Sequence, residues 1–503
     1  YVQSLDEAVG VIRLAKGYDL TRQSEVWSDD ERKAVEEKFF RATADTLLVF
    51  NQGINNHQTW YNAGLMAIAS TLGDAALMQR MLRMEGGFYD QLQRSIGDDG
   101  LWYEGTMAYH SYALQAMREI VDIGRRAELT LHLEPRFKSM LTGPMNVAYP
   151  DGRYPAINDS DPGSIAQFDG AFAWAWQVYH EPVFAQAYAR GDANRLAAIG
   201  AGDVEPTWPI AAGSLNLADA GLAKLQIGRG GATACVFFDY GPHGGGHGHA
   251  DKLQIMLYAN GREWLLDPGR LTYSHKEYKT WVKTTAAHNT IALDRTSQKP
   301  TTGRLLAFGS NEHAAWASAE SDEAYPGSML RRHVMLTPDL LIDVFEVDTD
   351  RRRTIDLFAH VAAAALEPLT DAPAEMTDAV LGEDDGYQHL THSQRIAEAV
   401  SRWRFVDRDA ALGVWVVPID GEQQYSTRGI GYNTNQHPPT LVRRVEAEAA
   451  RFVTVYDLSG DASHVRDVRI EGDRLTVDTT SGRWTLALDP VDWPAKFDGE
   501  KSH

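Results

Sequence analysis

The chain has 503 residues, 44% hydrophobic and 23% charged, which excludes a disordered or fibrous protein and, at this length, a single ordinary core; two domains or three are expected. A formal charge of −21 argues against nucleic acid as the main partner, and a single cysteine, Cys235, excludes an intrachain disulfide framework or a cysteine-built zinc site. No apolar run approaches the length that spans a bilayer, so a soluble chain without a membrane partner is expected. The first six residues lack the pattern of a secretion signal; a start at Tyr1 suggests a processed or trimmed form, with a periplasmic or secreted address favoured.

From Leu5 to about Ala198 the apolar residues recur at three- and four-residue steps: Ala34, Val35, Phe39 and Phe40, then Leu65, Ile68 and Leu72, then Leu114, Met117 and Val121. Gly73-Asp74, Gly86-Gly87, Asp99-Gly100, Gly143-Pro144 and Asp151-Gly152 punctuate this stretch, which predicts a run of antiparallel helix pairs over residues 1–200. Asn55-Asn56-His57-Gln58-Thr59-Trp60-Tyr61 precedes a helix over 63–72, so its amides and imidazole fall at a helix start. An Asn cap with an incidental His is the plain alternative. Asp98 to Tyr112 is a turn and aromatic loop entering the next helix, with Tyr109 and Tyr112 one turn apart, a spacing that core aromatics also show. Arg153 to Asp161 is a polar loop that either lines a ligand or simply turns the chain.

Residues 201–215, with Pro206-Thr207-Trp208-Pro209, read as a linker, after which short alternating strands predict an antiparallel β-sandwich over 216–503, with a separable part from about 390 as an option. Asn260-Gly261 is a strong hairpin signal between strands 252–259 and 262–267, because both turn positions must accept positive φ. Further strands are expected at 340–347, 414–417, 452–456, 474–477 and 484–488; there is no internal repeat and no low-complexity tract. Gly241 to Leu253 holds three histidines among glycines, and in an extended segment His247 and His249 share a side. The hairpin returns Asp267 of Leu266-Asp267-Pro268-Gly269 towards His249, and a second return brings His288-Asn289-Thr290. His249, Asp267 and His288 thus form a ligand set suited to zinc, against the plain reading of separate hydrogen-bonded residues. Between Asp251 and Arg304, nine basic residues face five acidic ones, a local excess of four positive charges.

Asn-Asn-His at 55–57, Tyr-Glu-Gly with Tyr-His-Ser-Tyr at 103–112, His-Gly-His-Ala-Asp-Lys-Leu at 247–253, Tyr-Ala-Asn-Gly with Asp-Pro-Gly at 258–269 and Ala-Ala-His-Asn-Thr at 286–290 together resemble the heparinase II/III-like superfamily of polysaccharide lyases, in the family's order. The resemblance implies an incomplete (α/α) toroid followed by an antiparallel β-sandwich, with the active site between them. About two hundred helical residues is short for the family's toroid. The resemblance also implies Asn56, His57, Tyr109 and His247 as catalytic residues, and a structural Zn2+ on His249, Asp267 and His288. Around the sugar the expected contacts are Asn55, Tyr103, Glu104, Tyr112, Arg153, Lys252, Arg270 and Tyr278, the last chosen over Tyr273.

The implied reaction is β-elimination on a uronic-acid-containing glycan, alginate first, with heparan, hyaluronan or glucuronan as alternatives. It needs the uronate carboxylate neutralised, assigned to Asn56 with His247 or a nearby Arg. Tyr109 is the expected acid and a candidate base; His57 is the alternative base when the C5 proton lies on the face opposite O4. The rivals are a metal-dependent glycan hydrolase and a non-catalytic glycan-binding protein. The expected partner is an acidic polysaccharide or oligosaccharide; oligomeric state stays open, a homodimer among the options.

Overall fold

The computed structural model describes residues 4–210, 213–228, 233–371, 373–488 and 498–500. Residues 1–3 and, from the expected linker, Ala211 and Ala212 lie outside the described residues. The chain forms two compact units: Tyr1–Asn146 with Ile165–Ile210, and Val147–Ser164 with Ala211–His503. The polar loop around Arg153 therefore folds with the second unit although it interrupts the helical half in sequence. No helix among the described residues is long and apolar enough to cross a membrane.

The first unit is helical. Its centre is the helix Asn56–Leu72, packed on Ser4–Thr21 and on Met107–Arg126. That position explains a helix without Asp, Glu, Lys or Arg on any side: Trp60, Tyr61, Leu65, Met66 and Ile68 are all buried. Met107–Arg126 is one-sided, burying Met107, His110, Leu114, Met117 and Val121.

Two helical expectations need correction. Ala34, Val35, Phe39 and Phe40 do not form one buried face: Phe40 is buried, Ala34 and Val35 are half-buried, and Phe39 is 39% exposed, because an α-helix ending at Val35 passes into a π-helical turn, Glu36–Arg41, which rotates the stripe. Gly143-Pro144 does not break the chain; Pro144 lies inside the helix Pro135–Val147. A proline there has no N–H for the carbonyl of Met140. That carbonyl is bonded instead by Nε2 of His110 at 2.9 Å, while Nδ1 of His110 accepts the Trp102 N–H at 3.1 Å. Burial lowers the pKa of His110 to about 4, so it serves as a neutral cross-brace.

The second unit is a layered antiparallel β structure. A five-stranded sheet runs from Leu215–Leu217 to Arg262–Leu265, and faces a twelve-stranded sheet across a core of Leu225, Val236, Phe238, Leu257 and Trp264 against Val334, Leu341, Phe345 and Phe452. Strands are longer than expected: Leu340–His360 pairs antiparallel with Pro439–Asp457. That pairing also joins residues beyond 390 to the same body, so no separate part begins there. Leu340, Ile342 and Val344 pack instead towards Leu475, Val477 and Leu486 of a four-stranded sheet, which makes a third layer. Alternation along the strand thus serves two apolar layers, which is why this stretch lacks a polar face. The polar Asp343 on the inner side is held by a two-pronged pair with Arg332 at 2.8 and 2.7 Å. Asn260 and Gly261 have φ of +53° and +75° and join Gln254–Ala259 to Arg262–Leu265, as the hairpin signal requires.

Candidate active site

In the helical unit, Asn55 caps the helix Asn56–Leu72, its side chain accepting the Gln58 N–H at 2.9 Å. The capping alternative thus accounts for Asn55, whereas Asn56 is a separate matter. It is 4% exposed, and its Nδ2 lies 3.3 Å from each oxygen of Glu104. Glu104, also buried, accepts the Trp102 indole N–H at 2.6 Å. Glu104 therefore orients Asn56 rather than facing solvent as an expected sugar contact. His57 follows on the first turn, half-buried. Tyr103 is 43% exposed, with its hydroxyl on the Ile54 carbonyl at 3.2 Å, and desolvation followed by the charge of Glu104 pushes its phenol up to about 12. Thr106 caps Met107–Arg126 by accepting the Tyr109 N–H at 2.9 Å, placing half-buried Tyr109 on the first turn; Tyr112, a turn later, packs on Trp60 with ring centres 5.1 Å apart.

In the β unit, His249, Asp251, Asp267 and His288 each offer one ligand atom, all within 4.8 Å of one another, and all four side chains are buried. Asp251 is an addition to the three expected ligands. Nε2 of His249 faces the Asp159 carboxylate at 3.1 Å, and Nδ1 of His288 faces the Thr284 carbonyl at 2.9 Å. Both acceptors require the proton on the ring nitrogen that faces them. The remaining nitrogens, Nδ1 of His249 and Nε2 of His288, therefore point lone pairs at each other across 3.1 Å in the neutral rings. Burial keeps both rings neutral, lowering His249 and bringing His288 to about 3. Burial and the neighbouring charge of Asp251 push Asp267 well above the usual carboxylate range. Two facing lone pairs beside the buried carboxylates of Asp251 and Asp267 form a donor set that fits a divalent cation. This buried His/Asp group could hold a metal.

The surrounding loops are locked. Asn289 donates to the carbonyls of Ile255 and Leu266 at 3.0 and 2.8 Å and accepts the His360 N–H at 2.7 Å, so the residue beside His288 joins three chain segments. The loop at 156–161 clamps the histidine segment twice: Asn158 accepts the His249 N–H at 3.0 Å, and the Asp159 N–H bonds the His247 carbonyl at 3.1 Å.

Above this group His247 keeps 22% of its side chain exposed, with Nδ1 2.9 Å from Asp159. Tyr278 is buried, its hydroxyl donating to the same carboxylate at 2.7 Å. The exposed phenol is Tyr273, 45% accessible, whose oxygen lies 3.4 Å from Nδ1 of His247. Arg270 pairs with Asp161 and sits over the Tyr273 ring. Lys252 is not a sugar contact: it is 1% exposed, with its ammonium 3.2 Å from Asp239 and 3.1 Å from Asp251. Arg153 is exposed, paired with Asp151 at 2.6 Å and set over Tyr258. The basic excess at 251–304 is thus largely discharged through ion pairs, among them Arg262 with Asp407, Lys283 with Asp159 and Arg304 with Glu320.

Sequence reasoning missed Asp159, Lys283 and Asp251. Asp251 had a signal, since it follows His249 at the two-residue step already used to pair His247 with His249. Asp159 lay in the polar loop 153–161 already singled out, but nothing there pointed to His247, 88 residues away.

A family model described as heparinase II/III-like, C-terminal, matches residues 209–430, and one described as alginate lyase matches residues 3–140. An exo-oligoalginate lyase of Saccharophagus degradans is 28% identical over 96% of this chain and 72% of its own length. An alginate lyase of Stenotrophomonas maltophilia is 25% identical over 77% of this chain, which spans 58% of that protein. Among solved structures, a heparinase III matches with TM-score 0.74 at 14% identity, covering 95% of this chain and 73% of its own. A heparan sulfate lyase from Pedobacter heparinus matches with TM-score 0.69 at 14% identity, covering 100% and 75%. Such distant structures speak to the fold alone, helices followed by antiparallel sheets, and the two family models between them take in both halves of that fold. In the order of its motifs and in both of its halves, the chain is similar to polysaccharide lyases of the heparinase II/III-like and alginate lyase families.

Proposed function

We propose that this chain cleaves an acidic, uronic-acid-containing polysaccharide or oligosaccharide, alginate first, by β-elimination. The observation that carries the substrate is the relationship over 96% of the chain to a protein named for oligoalginate. In the reaction the C5 proton is removed, the C4–O4 bond breaks with its electron pair leaving on O4, a C4=C5 double bond forms, and O4 takes up a proton. Asn56, with a nearby Arg, neutralises the uronate carboxylate, so that charge developing at C5 spreads onto a hydrogen-bonded group, while His247 presents its free ring nitrogen to the sugar. Tyr109 protonates O4 and removes the C5 proton when both lie on one face; His57 is the base when they lie on opposite faces. Tyr103, Arg270 and Arg153, which keep exposed or half-exposed side chains, contact the sugar.

His249, Asp267 and His288 would hold Zn2+, with Asp251 beside them. Bound there, the ion supplies a fixed positive charge that cross-links three chain segments. Burial of all four side chains favours this structural role over activation of water, which needs an open coordination position, and so disfavours the hydrolase reading.

The test is incubation with a panel of uronate polymers and oligomers. New ultraviolet absorbance from an unsaturated uronate, with product masses that sum to the substrate, supports the lyase. Products heavier by one water point to a hydrolase, and retention of glycan without turnover points to a binding protein.

A further inference from the structure

Asp159 is fully buried yet surrounded by donors from two separate segments, 247–249 and 278–283. Its Oδ1 lies 3.0 Å from the Lys283 ammonium and 3.1 Å from Nε2 of His249. Its Oδ2 lies 2.7 Å from the Tyr278 hydroxyl and 2.9 Å from Nδ1 of His247. A carboxylate offers about four acceptor directions, and all are taken here. With the Lys283 ammonium at 3.0 Å and the Tyr278 hydroxyl donating at 2.7 Å, the side chain sits as an ionised acceptor. An ionised carboxylate cannot donate, so Nδ1 of His247 carries its proton and Nε2 becomes the acceptor of the neutral ring. The same argument places the proton of His249 on Nε2 and turns Nδ1 to the cation-binding group.

We propose that Asp159 is a positioning residue of the reaction: its one carboxylate fixes the orientation and tautomer of His247 while holding His249 for the cation-binding group. The reacting imidazole and the metal group are then linked through a single side chain from a loop remote in sequence. Tyr278 belongs to this support, and Lys283 supplies its compensating charge. The kinetic consequence rests on the lyase reading; the tautomer does not.

The experiment is 15N NMR of the full chain labelled on histidine, at about pH 8 where an imidazole is ordinarily neutral, with His247→Gln identifying the signal. Wild-type His247 is expected in the Nδ1–H form. In Asp159→Asn, with metal content checked by elemental analysis, the ring is expected to move towards the Nε2–H form and kcat to fall about 10- to 100-fold, the range typical of residues that orient a catalytic or metal-binding imidazole, with KM changed far less. Asp159→Glu is expected to restore part of both. A wild-type ring protonated on Nε2 overturns the proposal, as does an Asp159→Asn protein in which either the tautomer or kcat is unchanged. Should Asp159→Asn not fold, the wild-type and Asp159→Glu spectra still decide. If no uronate polymer is cleaved, the lyase reading fails while the ring spectrum still tests Asp159.

Discussion

The backbone of Gly248 runs so close to the carbonyl of His243 that any Cβ at 248 would overlap that oxygen. The contact folds the glycine-rich segment back on itself between His247 and His249, and it leaves Gly246, two residues earlier, with nothing within 4 Å of an added Cβ. Gly248→Ala is therefore expected to destabilise the β unit by more than about 3 kcal/mol, the range of severe overpacking, and Gly246→Ala to stay within about 0.5 kcal/mol. Chemical denaturation of the two variants side by side checks this. Equal stabilities would mean that the segment takes another path.

The lone pairs of His249 and His288 give metal removal a defined outcome. A cation that binds only the folded state contributes about 4 kcal/mol at a free concentration a thousand times its Kd. EDTA is thus expected to lower Tm by several degrees, with kcat at a temperature well below Tm following unfolding rather than preceding it. Immediate loss of turnover in a protein whose Tm and circular dichroism are unchanged would assign the ion a direct chemical part. His288→Ala should reproduce the Tm loss and make the protein insensitive to EDTA.

What could be read from the chain was local. Asn260-Gly261, Asp267-Pro268-Gly269 and His288-Asn289 each announce a turn or ligand through a short motif, and the returns they impose bring His249, Asp267 and His288 together. Pro144 was misread because its helix survives through a partner 34 residues earlier, His110, which no window of sequence contains. Lys252 looked like a surface charge because its carboxylate at Asp239 lies across a strand pairing. The loop of Asp159 was legible as a candidate, but its partners His247 and His249 were not, for the same reason on a larger scale. A pattern reports which way a residue faces, whereas the partner of a buried charge is decided by topology.

In the helical unit, the proposed role of Asn56 makes Glu104, which its amide contacts, the group that aims it. Asn56→Ala should lower kcat by about 100- to 1,000-fold if its amide donates to the developing charge, the usual cost of one such donor. Glu104→Gln keeps the shape but replaces one acceptor oxygen with an amide, so Asn56 and Trp102 compete for what is left. A smaller fall in kcat is expected, together with a stability loss of about 1–3 kcal/mol from an imperfectly paired buried group. Steady-state kinetics and denaturation of both variants check the order. A larger kinetic defect in Glu104→Gln than in Asn56→Ala would reverse the roles.

Glu263 should make the β unit lose stability as the solution is raised towards neutrality. The side chain is buried with Tyr149 donating to Oε1 at 3.0 Å and Tyr432 to Oε2, near Arg153 and Asp151. Burial raises its pKa to about 7, against the opposing hydrogen bonds of Tyr432 and Tyr149 and the charge of Arg153, while Asp151 adds to the rise. A folded pKa above the unfolded one means that the folded state holds the proton more tightly. The contribution is fully present below the unfolded value, about 4.3 for a glutamate, and is lost as pH climbs to 7, on the order of 3 kcal/mol over the window. Glu263→Gln mimics the protonated form and removes the titration. Denaturation midpoints followed from pH 4.5 to 7.5 should therefore fall more steeply in the wild type than in the variant. Parallel curves would mean that Glu263 ionises in the folded chain much as it does in the unfolded one.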